Sequence, residues 1–552
     1  MSQASKPLTT ASGEPTPDSP GAAGELDAVV IGAGFGGLYM LHRLRSMGMS
    51  VLLLERGSDL GGTWFWNRYP GARCDIQSIE YSYQFSPELQ QEWRWSEKYA
   101  TQPEILRYLN HVADRFELRS HMRFNEQVDQ ARFDEASGRW QIATATGGQF
   151  SARYCVSATG CLSSTNKPDI PGLTEFRGDV YHTGQWPHEG VDFTGKRVAV
   201  IGTGSSAIQS IPIIAAQAQH LSVFQRTANY SVPAHNRALT DDEVAAVKAD
   251  YAAFRAANNE APFAAAFDNR EELALESTHD EVRAELERRW EWGGLPFLGA
   301  FADLLFEEDA NELAAEFIRE KIRARVDDPE VAQKLMPTSI VGCKRLCVDT
   351  NYFETYNRAN VDLHDISKAG IERIDANSVW VDGVATEVDC IVFATGFDAM
   401  TGSLLKIDFV GRDGVSLSQK WAAGPQTLLG LCTAGFPNLF MVSGPGSPSV
   451  LTNMVPSIEQ HVNWIADCIG YLNGRSLQGI EATQAAEVKW VQHVNEVADE
   501  SLYPGCNSWY LGANVPGKPR VFMPYLGFPP YVEACEQVAA NDYEGFELLG
   551  SA

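Results

Sequence analysis

Residues 32–37 read Gly32-Ala33-Gly34-Phe35-Gly36-Gly37 and follow directly on the apolar run Leu26–Ile31. The residues after this glycine-rich loop have helical spacing, and a second apolar run, Val51–Leu54, then ends at Glu55. This order predicts a strand, a tight turn, a helix and a second strand, which is the βαβ unit of a dinucleotide-binding fold.

The three glycines of this first loop have separate physical roles. Gly32 permits the tight turn, Gly34 lets the backbone approach a pyrophosphate, and Gly37 allows the helix to pack closely on the strand. The helix N-terminus adds amide donors and a partial positive charge for that pyrophosphate. Glu55 follows Gly37 by eighteen residues, where a carboxylate can accept hydrogen bonds from ribose hydroxyls. The sequence therefore predicts a first dinucleotide site here.

The same pattern returns at Gly202-Thr203-Gly204-Ser205-Ser206-Ala207, which follows the apolar run Arg197–Ile201. The next predicted strand ends at Arg226, nineteen residues after Ala207, where the first site has its glutamate. A carboxylate at this point repels a 2′-phosphate, whereas a guanidinium pairs with it in a bidentate manner. The second site is therefore predicted to bind NADPH rather than NADH. The alternative, that Arg226 is an ordinary solvent-facing charge, stays open.

Composition divides the rest of the chain. Residues 241–334 are dominated by Ala, Glu, Arg and Leu at helical spacing. Two similar segments, Ala158-Thr159-Gly160 and Ala394-Thr395-Gly396, follow apolar runs, and we predict that the chain crosses between domains at both. We predict an α/β fold with two Rossmann-like dinucleotide-binding domains and a helical insertion in the second. The expected bounds are a disordered tail over 1–24, a first domain over 25–157 and 397–552, a second over 161–240 and 335–393, and the insertion over 241–334.

Charge and hydropathy restrict the partners. The chain of 552 residues has 71 acidic and 44 basic residues, a formal net charge of −27, so its surface is expected to repel nucleic acid and anionic membranes. No apolar run approaches the ~18 residues that cross a bilayer. The first residues lack the charged start and apolar middle of a signal peptide, and a cytoplasmic location is the expectation.

The ten cysteines give no redox or metal motif. Cys343 and Cys347 are the closest pair, but three residues separate them, and they lack the neighbours of a zinc site. Free thiols in a reducing compartment are therefore predicted, with no metal site and no disulfide-reductase chemistry.

Between the two loops lies a segment that includes Phe176, Gly178, His182, Trp186 and Pro187 in the spacing F-x-G-x-x-x-H-x-x-x-W-P. A longer motif, G-G-x-W-x-x-x-x-Y-P-G-x-x-x-D, spans residues 61–75, and further matches occur at 342–346, 397–402, 444–449 and 508–520. From about residue 25 to the C-terminus the chain resembles the Baeyer–Villiger monooxygenases, flavoenzymes that insert one oxygen atom beside a ketone carbonyl.

This resemblance implies the cofactors and the reaction. It places FAD in the first domain and NADPH in the second, and it implies that a ketone and O2 give an ester or lactone through a flavin C4a-peroxide and a tetrahedral (Criegee) adduct. It also implies that Arg345 is the central catalytic residue and Asp75 its hydrogen-bonded partner. A guanidinium is permanently charged and can stabilise the anions of such a reaction.

The resemblance implies further site residues. Besides the loop glycines, Glu55 and Arg226, the expected cofactor contacts are Gly62, Thr63, Trp64, Asp75, Ser205, Ser206, Gln209, Thr227, Lys344, Arg345 and Trp509. The expected wall of the substrate pocket consists of Ser449, Val450, Leu451 and Met454. His182 is expected to have a structural or conformational role rather than to transfer a proton, and Trp186 to pack.

Three other functions are considered. The first is an S- or N-oxygenating flavin monooxygenase, the second an NADPH oxidase or reductase, and the third a nucleotide-binding or redox-sensing protein without catalysis. Trp186-Pro187 and Lys344-Arg345 argue against the first two. Two complete loops and a charge-matched Arg345–Asp75 pair argue against the third. The expected partners are small molecules, and the expected state is a monomer or a weak homo-oligomer.

Overall fold

The computed structural model describes residues 25–265 and 267–550, so the tail predicted over 1–24 lies outside the described residues. The strands are β1 Leu26–Ile31, β2 Val51–Leu54, β3 Met122–Arg123, β4 Val128–Asp134, β5 Arg139–Thr144, β6 Gln149–Ser157, β7 Asp179–His182, β8 Arg197–Ile201, β9 His220–Gln225, β10 Ser231–Pro233, β11 Cys347–Asp349, β12 Val361–Asp365, β13 Arg373–Ile374, β14 Ser378–Val381, β15 Val384–Glu387, β16 Cys390–Phe393, β17 Asp408–Val410, β18 Leu439–Met441, β19 Gly479–Ala482 and β20 Phe546–Leu549.

The α-helices lie between these strands. They are α1 Phe35–Ser46, α2 Thr63–Trp66, α3 Pro87–Glu92, α4 Gln102–Arg115, α5 Ser205–Gln217, α6 Asp241–Ala249, α7 Tyr251–Glu260, α8 His279–Trp292, α9 Glu308–Arg325, α10 Pro329–Leu335, α11 Tyr352–Thr355, α12 Gly402–Leu405, α13 Leu417–Lys420, α14 Met454–Gly474, α15 Gln484–Asp499 and α16 Phe528–Ala540.

The first glycine loop belongs to an eight-stranded sheet with the order β17-β4-β5-β6-β1-β2-β3, in which β18 also pairs with β6. The central strands are parallel, and Val30 of β1 is aligned with Leu53 of β2 and Val156 of β6. The last four residues of β1 are all buried, as expected for a parallel strand covered on both faces. Helix α1 packs against α14 on one of these faces.

The second glycine loop belongs to a five-stranded sheet with the order β12-β9-β8-β16-β7, and all of its pairings are parallel. Val200 of β8 lies between Val223 of β9 and Val392 of β16. The chain leaves the first sheet after β6 and enters the second at β7, then returns between β16 and β17. Each glycine loop therefore sits in its own parallel sheet, and the α/β fold with two dinucleotide-binding units is confirmed.

The described residues of 241–334 contain helices α6 to α10 and no strand. Thr240 and Glu243 form a capping box at the start of α6, and Thr278 and Glu281 form another at the start of α8. In each box the threonine side chain accepts from the N3 backbone amide, which satisfies a donor that the helix leaves free. Helix α9 then packs against α8 and α10.

No helix among the described residues is both long enough and apolar enough to span a lipid bilayer.

Candidate active site

A cavity of about 1320 Å³ is lined by both glycine loops. It also borders the two crossings, Ala158-Thr159-Gly160 and Ala394-Thr395-Gly396. In parallel sheets, ligands bind at the carboxyl ends of the strands, and each loop here follows such an end. The cavity exceeds the ~300–1,000 Å³ of an ordinary small-molecule pocket, so it suits more than one ligand.

The first loop has the geometry of a pyrophosphate site. Gly32 has φ +105°, and a Cβ there would lie 2.6 Å from the carbonyl oxygen of Ala158, while a Cβ on Gly37 would lie 1.8 Å from the oxygen of Gly32. Gly34 occupies the N-cap of α1, and no side chain caps that helix. The free amides at this helix N-terminus border the cavity and can donate to an anion.

Glu55 has a bonding role that the sequence did not predict. Its carboxylate accepts hydrogen bonds from the backbone amides of Ala33 at 2.8 Å and Gly57 at 2.7 Å. Burial raises the pKa of Glu55, although these amides and Arg56 act in the opposite direction. Glu55 also lines the cavity, so one carboxylate fixes the loop against β2 while retaining lone pairs for a ribose hydroxyl.

The longer motif packs against the first loop. Gly62 has φ +52°, and a Cβ there would lie 2.8 Å from the Cα of Gly34, so the two glycines must approach closely. Thr63 begins α2, and the indole nitrogen of Trp64 donates to the hydroxyl of Tyr81 at 3.2 Å. All five of these residues line the cavity.

The second loop repeats the backbone geometry of the first. Gly202 has φ +110°, and a Cβ there would lie 2.5 Å from the oxygen of Ala394. Gly204 is the N-cap of α5, again without a side-chain cap, and Ser205 and Ser206 line the cavity beside it. Gln209 also lines the cavity, but its side-chain oxygen accepts from the hydroxyl of Tyr69 at 2.9 Å. Gln209 thus joins the second unit to the first as well as facing the ligand space.

Two cations meet beyond the second loop. Arg226 is exposed at the end of β9, Thr227 follows it, and Lys344 is half-buried; all three line the cavity. Burial, and then the proximity of Arg226, lowers the pKa of Lys344. Within residues 25–265 and 267–550 neither cation forms an ion pair with a carboxylate. Two unpaired cations at this point suit a 2′-phosphate.

Arg345 and Asp75 form the charged centre of the cavity. Arg345 Nε lies 2.5 Å from Asp75 Oδ2 and Nη2 lies 3.1 Å from Oδ1, while Nη1 donates to the carbonyl oxygen of Val450 at 2.7 Å. Burial opposes the charged form, but the carboxylate of Asp75 outweighs it, and the pKa of Arg345 is raised. A guanidinium has five N–H donors, so two remain for a ligand.

The structure places two of the four residues of the expected substrate wall on the cavity. Val450 and Met454 line the cavity, together with Ile76, Tyr81 and Ile458, which the sequence did not indicate. Ser449 and Leu451, in contrast, are buried and do not border it among the described residues. They lie in a 3-10 turn, Ser449–Leu451, whose tight winding places Val450 alone toward the ligand space.

The segment 176–187, which lies between the two glycine loops in sequence, makes structural contacts. A Cβ on Gly178 would lie 2.2 Å from the oxygen of Asp389, and Trp186 packs against Tyr181 and Phe193. Phe176 packs on the core of the second sheet, and the oxygen of Pro187 accepts from an amide in the following turn.

His182 is held as a neutral acceptor in this segment. Its Nδ1 accepts from the Gly184 amide at 3.0 Å, and Nε2 lies 3.3 Å from the oxygen of Asn166. Burial lowers the pKa of His182 to about 4. Because Nδ1 accepts, Nε2 carries the proton, and the ring is not a base that titrates near neutral pH.

The prediction of free thiols is wrong for two cysteines. Cys343 and Cys506 form a disulfide with a Cα–Cα distance of 5.6 Å, although 163 residues separate them in sequence. The other eight cysteines are free and buried. No spacing motif marks this pair, since only the tertiary fold brings the two residues together. Clusters of side chains that suit a metal ion are absent from residues 25–265 and 267–550.

Trp509 lies in the segment that follows this disulfide. It is half-buried, lines the cavity and packs against Tyr510 with ring centroids 4.3 Å apart. Two glycine loops in separate parallel sheets border one cavity with the Arg345–Asp75 ion pair, and this is the arrangement of an oxidoreductase that uses two dinucleotides.

Similarity to known proteins supports this class. The model of the pyridine nucleotide-disulphide oxidoreductase family matches residues 29–256. A Baeyer–Villiger monooxygenase of Pseudooceanicola batsensis is 43% identical over 94% of this chain and 95% of its own length. Oxidized steroid monooxygenase bound to NADP is 53% identical, with a TM-score of 0.92 over 96% of this chain and 100% of that one. OTEMO in complex with FAD and NADP is 40% identical, with a TM-score of 0.92 over 95% and 99% of the two chains.

The chain belongs to the Baeyer–Villiger monooxygenases, a family of FAD-containing, NADP-dependent oxidoreductases.

Proposed function

We propose that this protein catalyses the NADPH- and O2-dependent insertion of one oxygen atom beside a ketone carbonyl, which gives an ester or a lactone. The observation that supports it most is the Arg345–Asp75 ion pair, which borders the same cavity as both glycine loops. FAD and NADPH together supply hydride transfer and the activation of O2. Residues of the chain bind these cofactors and stabilise the charges that develop on the ketone.

The two loops divide the binding of the cofactors. The uncapped N-terminus of α1, behind Gly32 and Gly34, is the site for the FAD pyrophosphate, and that of α5, behind Gly202 and Gly204, is the site for the NADPH pyrophosphate. Gly62, Thr63 and Trp64 extend the first site. Ser205, Ser206 and Gln209 extend the second.

Arg226 and Lys344 select NADPH. Each presents a positive charge that no carboxylate of the described residues neutralises, and Thr227 adds a hydroxyl beside them. The 2′-phosphate is the one group of the coenzyme that NADH lacks. Charge-assisted hydrogen bonds to this phosphate therefore raise the affinity for NADPH alone.

Arg345 is the catalytic residue. When a nucleophile adds to the carbonyl carbon of a ketone, the carbonyl oxygen becomes an oxyanion, and the two free N–H groups of Arg345 can donate to it. Such a donor lowers the barrier by about 3–4 kcal/mol. Asp75 keeps the guanidinium in place through two hydrogen bonds, and the oxygen of Val450 fixes a third N–H. The ammonium group of lysine cannot make the same planar, bidentate contact.

The wall beside Arg345 favours an apolar substrate. Val450, Met454, Ile76 and Ile458 border the cavity without offering charge. We infer a small neutral ketone as substrate. Trp509 closes the coenzyme side of the cavity.

We also propose a cytoplasmic location and a monomeric or weakly associating state, as the sequence predicts.

The proposal is tested with purified protein supplied with NADPH and air. The panel contains aryl-alkyl, cyclic, long-chain and steroid ketones, an amine and a sulfide. We expect a bound-flavin spectrum, NADPH consumption that rises with at least one ketone, and a product that is one oxygen atom heavier and has the retention time of the ester. If only the amine or the sulfide is oxygenated, the proposed ketone reaction is wrong.

A further inference from the structure

The disulfide joins two segments that both line the cavity. Cys343 borders it and directly precedes Lys344 and Arg345. Cys506 begins residues 506–520, here called the covering segment, of which Asn507, Trp509, Ala513, Asn514 and Arg520 border the cavity. The bond therefore attaches the covering segment beside a cation of the coenzyme site and beside the catalytic arginine.

The remaining attachments of the covering segment are non-covalent. The amide of Asn514 donates to the oxygen of Phe397 at 2.6 Å, and Lys518 Nζ lies 2.6 Å from Asp398 Oδ1. These contacts hold the far end of the segment on residues 397–398. At the start of the covering segment, the disulfide cross-links Cys506 to Cys343. Next to Trp509, Tyr510 is buried, packs on Tyr503 and accepts at its carbonyl oxygen from the amide of Met523 at 3.0 Å. Loss of the disulfide would therefore loosen the start of the segment, including the half-buried Trp509, while Tyr510 and the far end stay in place.

We propose that Cys343–Cys506 is a redox-sensitive clasp that controls coenzyme release. When the bond is intact, the covering segment stays over the coenzyme side of the cavity and NADP+ leaves slowly; when the bond is reduced, Trp509 can withdraw and NADP+ leaves faster. The inference rests on the proposed function, because it takes the ligand beside Lys344 to be the NADP coenzyme. The disulfide would regulate the rate of NADP+ release, and oxygen transfer itself does not require this regulation.

The oxidation step balances with hydrogen peroxide as oxidant. This peroxide is the product when NADPH reduces O2 without transferring oxygen to a substrate. The sulfur of Cys343 attacks one peroxide oxygen, the O–O bond breaks, and a sulfenic acid and one water form. The sulfur of Cys506 then attacks that sulfur and displaces the second oxygen as water. Two thiols lose two electrons and two protons, and one hydrogen peroxide becomes two waters.

Geometry selects this pair among the cavity cysteines. Cys74, Cys161 and Cys347 also border the cavity, but each is free. Cys343 has a partner whose Cα lies 5.6 Å away, within the range that a disulfide spans. Peroxide formed in the cavity therefore meets one cysteine that is already placed for a bond.

The test compares the wild type with Cys506→Ser and with the double variant Cys343→Ser/Cys506→Ser. Non-reduced digests are analysed by mass spectrometry for a peptide that links Cys343 to Cys506, before and after treatment with hydrogen peroxide or a dithiol. The rate of NADP+ release from the oxidised holoenzyme is measured by stopped-flow displacement under the same conditions. Neither readout requires a ketone, so they stay informative if the proposed ketone reaction fails.

We expect the linked peptide in the peroxide-treated wild type, and about tenfold faster NADP+ release after dithiol treatment, because a short tether raises the effective concentration of the closed segment. Dithiol should leave the release rate of Cys506→Ser unchanged, which controls for effects of the reductant elsewhere. The inference is overturned if peroxide yields no linked peptide, or if the linked and reduced wild type release NADP+ at equal rates. The wild-type comparison decides the question even if a variant fails to fold.

Discussion

Arg345 and Asp75 lie 270 residues apart in sequence, yet the guanidinium of one makes two hydrogen bonds to the carboxylate of the other, at 2.5 and 3.1 Å. Asp75 comes from the glycine-rich motif of the FAD unit, whereas Arg345 lies just before β11, which pairs with the strand that follows Arg226 and Thr227. Their ion pair therefore spans the two halves of the cavity. A change in either residue should affect oxygen transfer more than the binding of either cofactor.

The first prediction concerns this pair. Arg345→Ala should retain FAD but lower ester formation per NADPH consumed by about a hundredfold or more, because a donor to the developing oxyanion is lost. Arg345→Lys should recover only part of the activity, since an ammonium cannot make the bidentate contact with Asp75. Ester and hydrogen peroxide are quantified together. The exposed Arg475, replaced by alanine, is the control; unchanged ester formation in Arg345→Ala would show that the assigned role is wrong.

The second prediction concerns coenzyme selectivity. Arg226→Ala should raise KM for NADPH by about tenfold to a hundredfold, the range expected for losing charge-assisted hydrogen bonds, and should leave KM for NADH nearly unchanged. Steady-state kinetics with both coenzymes measure the ratio. Equal losses with the two coenzymes would mean that Arg226 does not contact the 2′-phosphate.

The third prediction uses the open space at Gly204. A Cβ there meets no atom within 4 Å, and the residue has extended backbone angles, so Gly204→Ala should fold normally. If the coenzyme pyrophosphate approaches this backbone, the added methyl group should raise KM for NADPH by about tenfold. Gly474→Ala, at another position with open space, serves as the matched control. An unchanged KM in Gly204→Ala would place the pyrophosphate elsewhere.

The fourth prediction concerns pH and His182. Its pKa is lowered from 6.5 to about 4 by burial, so between these values the unfolded chain binds a proton that the folded protein does not. Acidification from pH 6.5 to 4 should therefore reduce the free energy of unfolding, with a contribution of up to about 3 kcal/mol from this residue. His182→Asn should retain an acceptor for the Gly184 amide and show a shallower dependence in denaturant titrations. Identical slopes in the two proteins would contradict the assignment of a buried neutral ring.

The local parts of the fold could be predicted from the sequence. The run from β1 through the first glycine loop to β2 is specified by neighbours in the chain, because apolar periodicity and obligatory glycines act over a few residues. The helical composition of residues 241–334 and the arginine at the end of β9 are local signals of the same kind. The position of Glu55 directly after β2 follows from the apolar run before it, but its bonds to Ala33 and Gly57 depend on how the loop folds back.

The contacts between distant segments could not be predicted from spacing. The family resemblance indicates Arg345 and Asp75, but the hydrogen bond from Arg345 to the oxygen of Val450 depends on the 3-10 turn that buries Ser449 and Leu451. The disulfide of Cys343 and Cys506 likewise depends on tertiary proximity. A loop sequence carries no periodic signal for which of its side chains faces a cavity, so Val450 could not be distinguished from Ser449 and Leu451 by sequence.

The most direct test of the central claim is the fate of labelled dioxygen. The wild-type holoenzyme is incubated with NADPH, its best ketone and ¹⁸O2, and the product is analysed by mass spectrometry while NADPH consumption is recorded. We expect an ester or lactone with one ¹⁸O atom per molecule, formed in proportion to the NADPH consumed. NADPH consumption that yields only labelled hydrogen peroxide, with the ketone recovered unchanged, would contradict this claim.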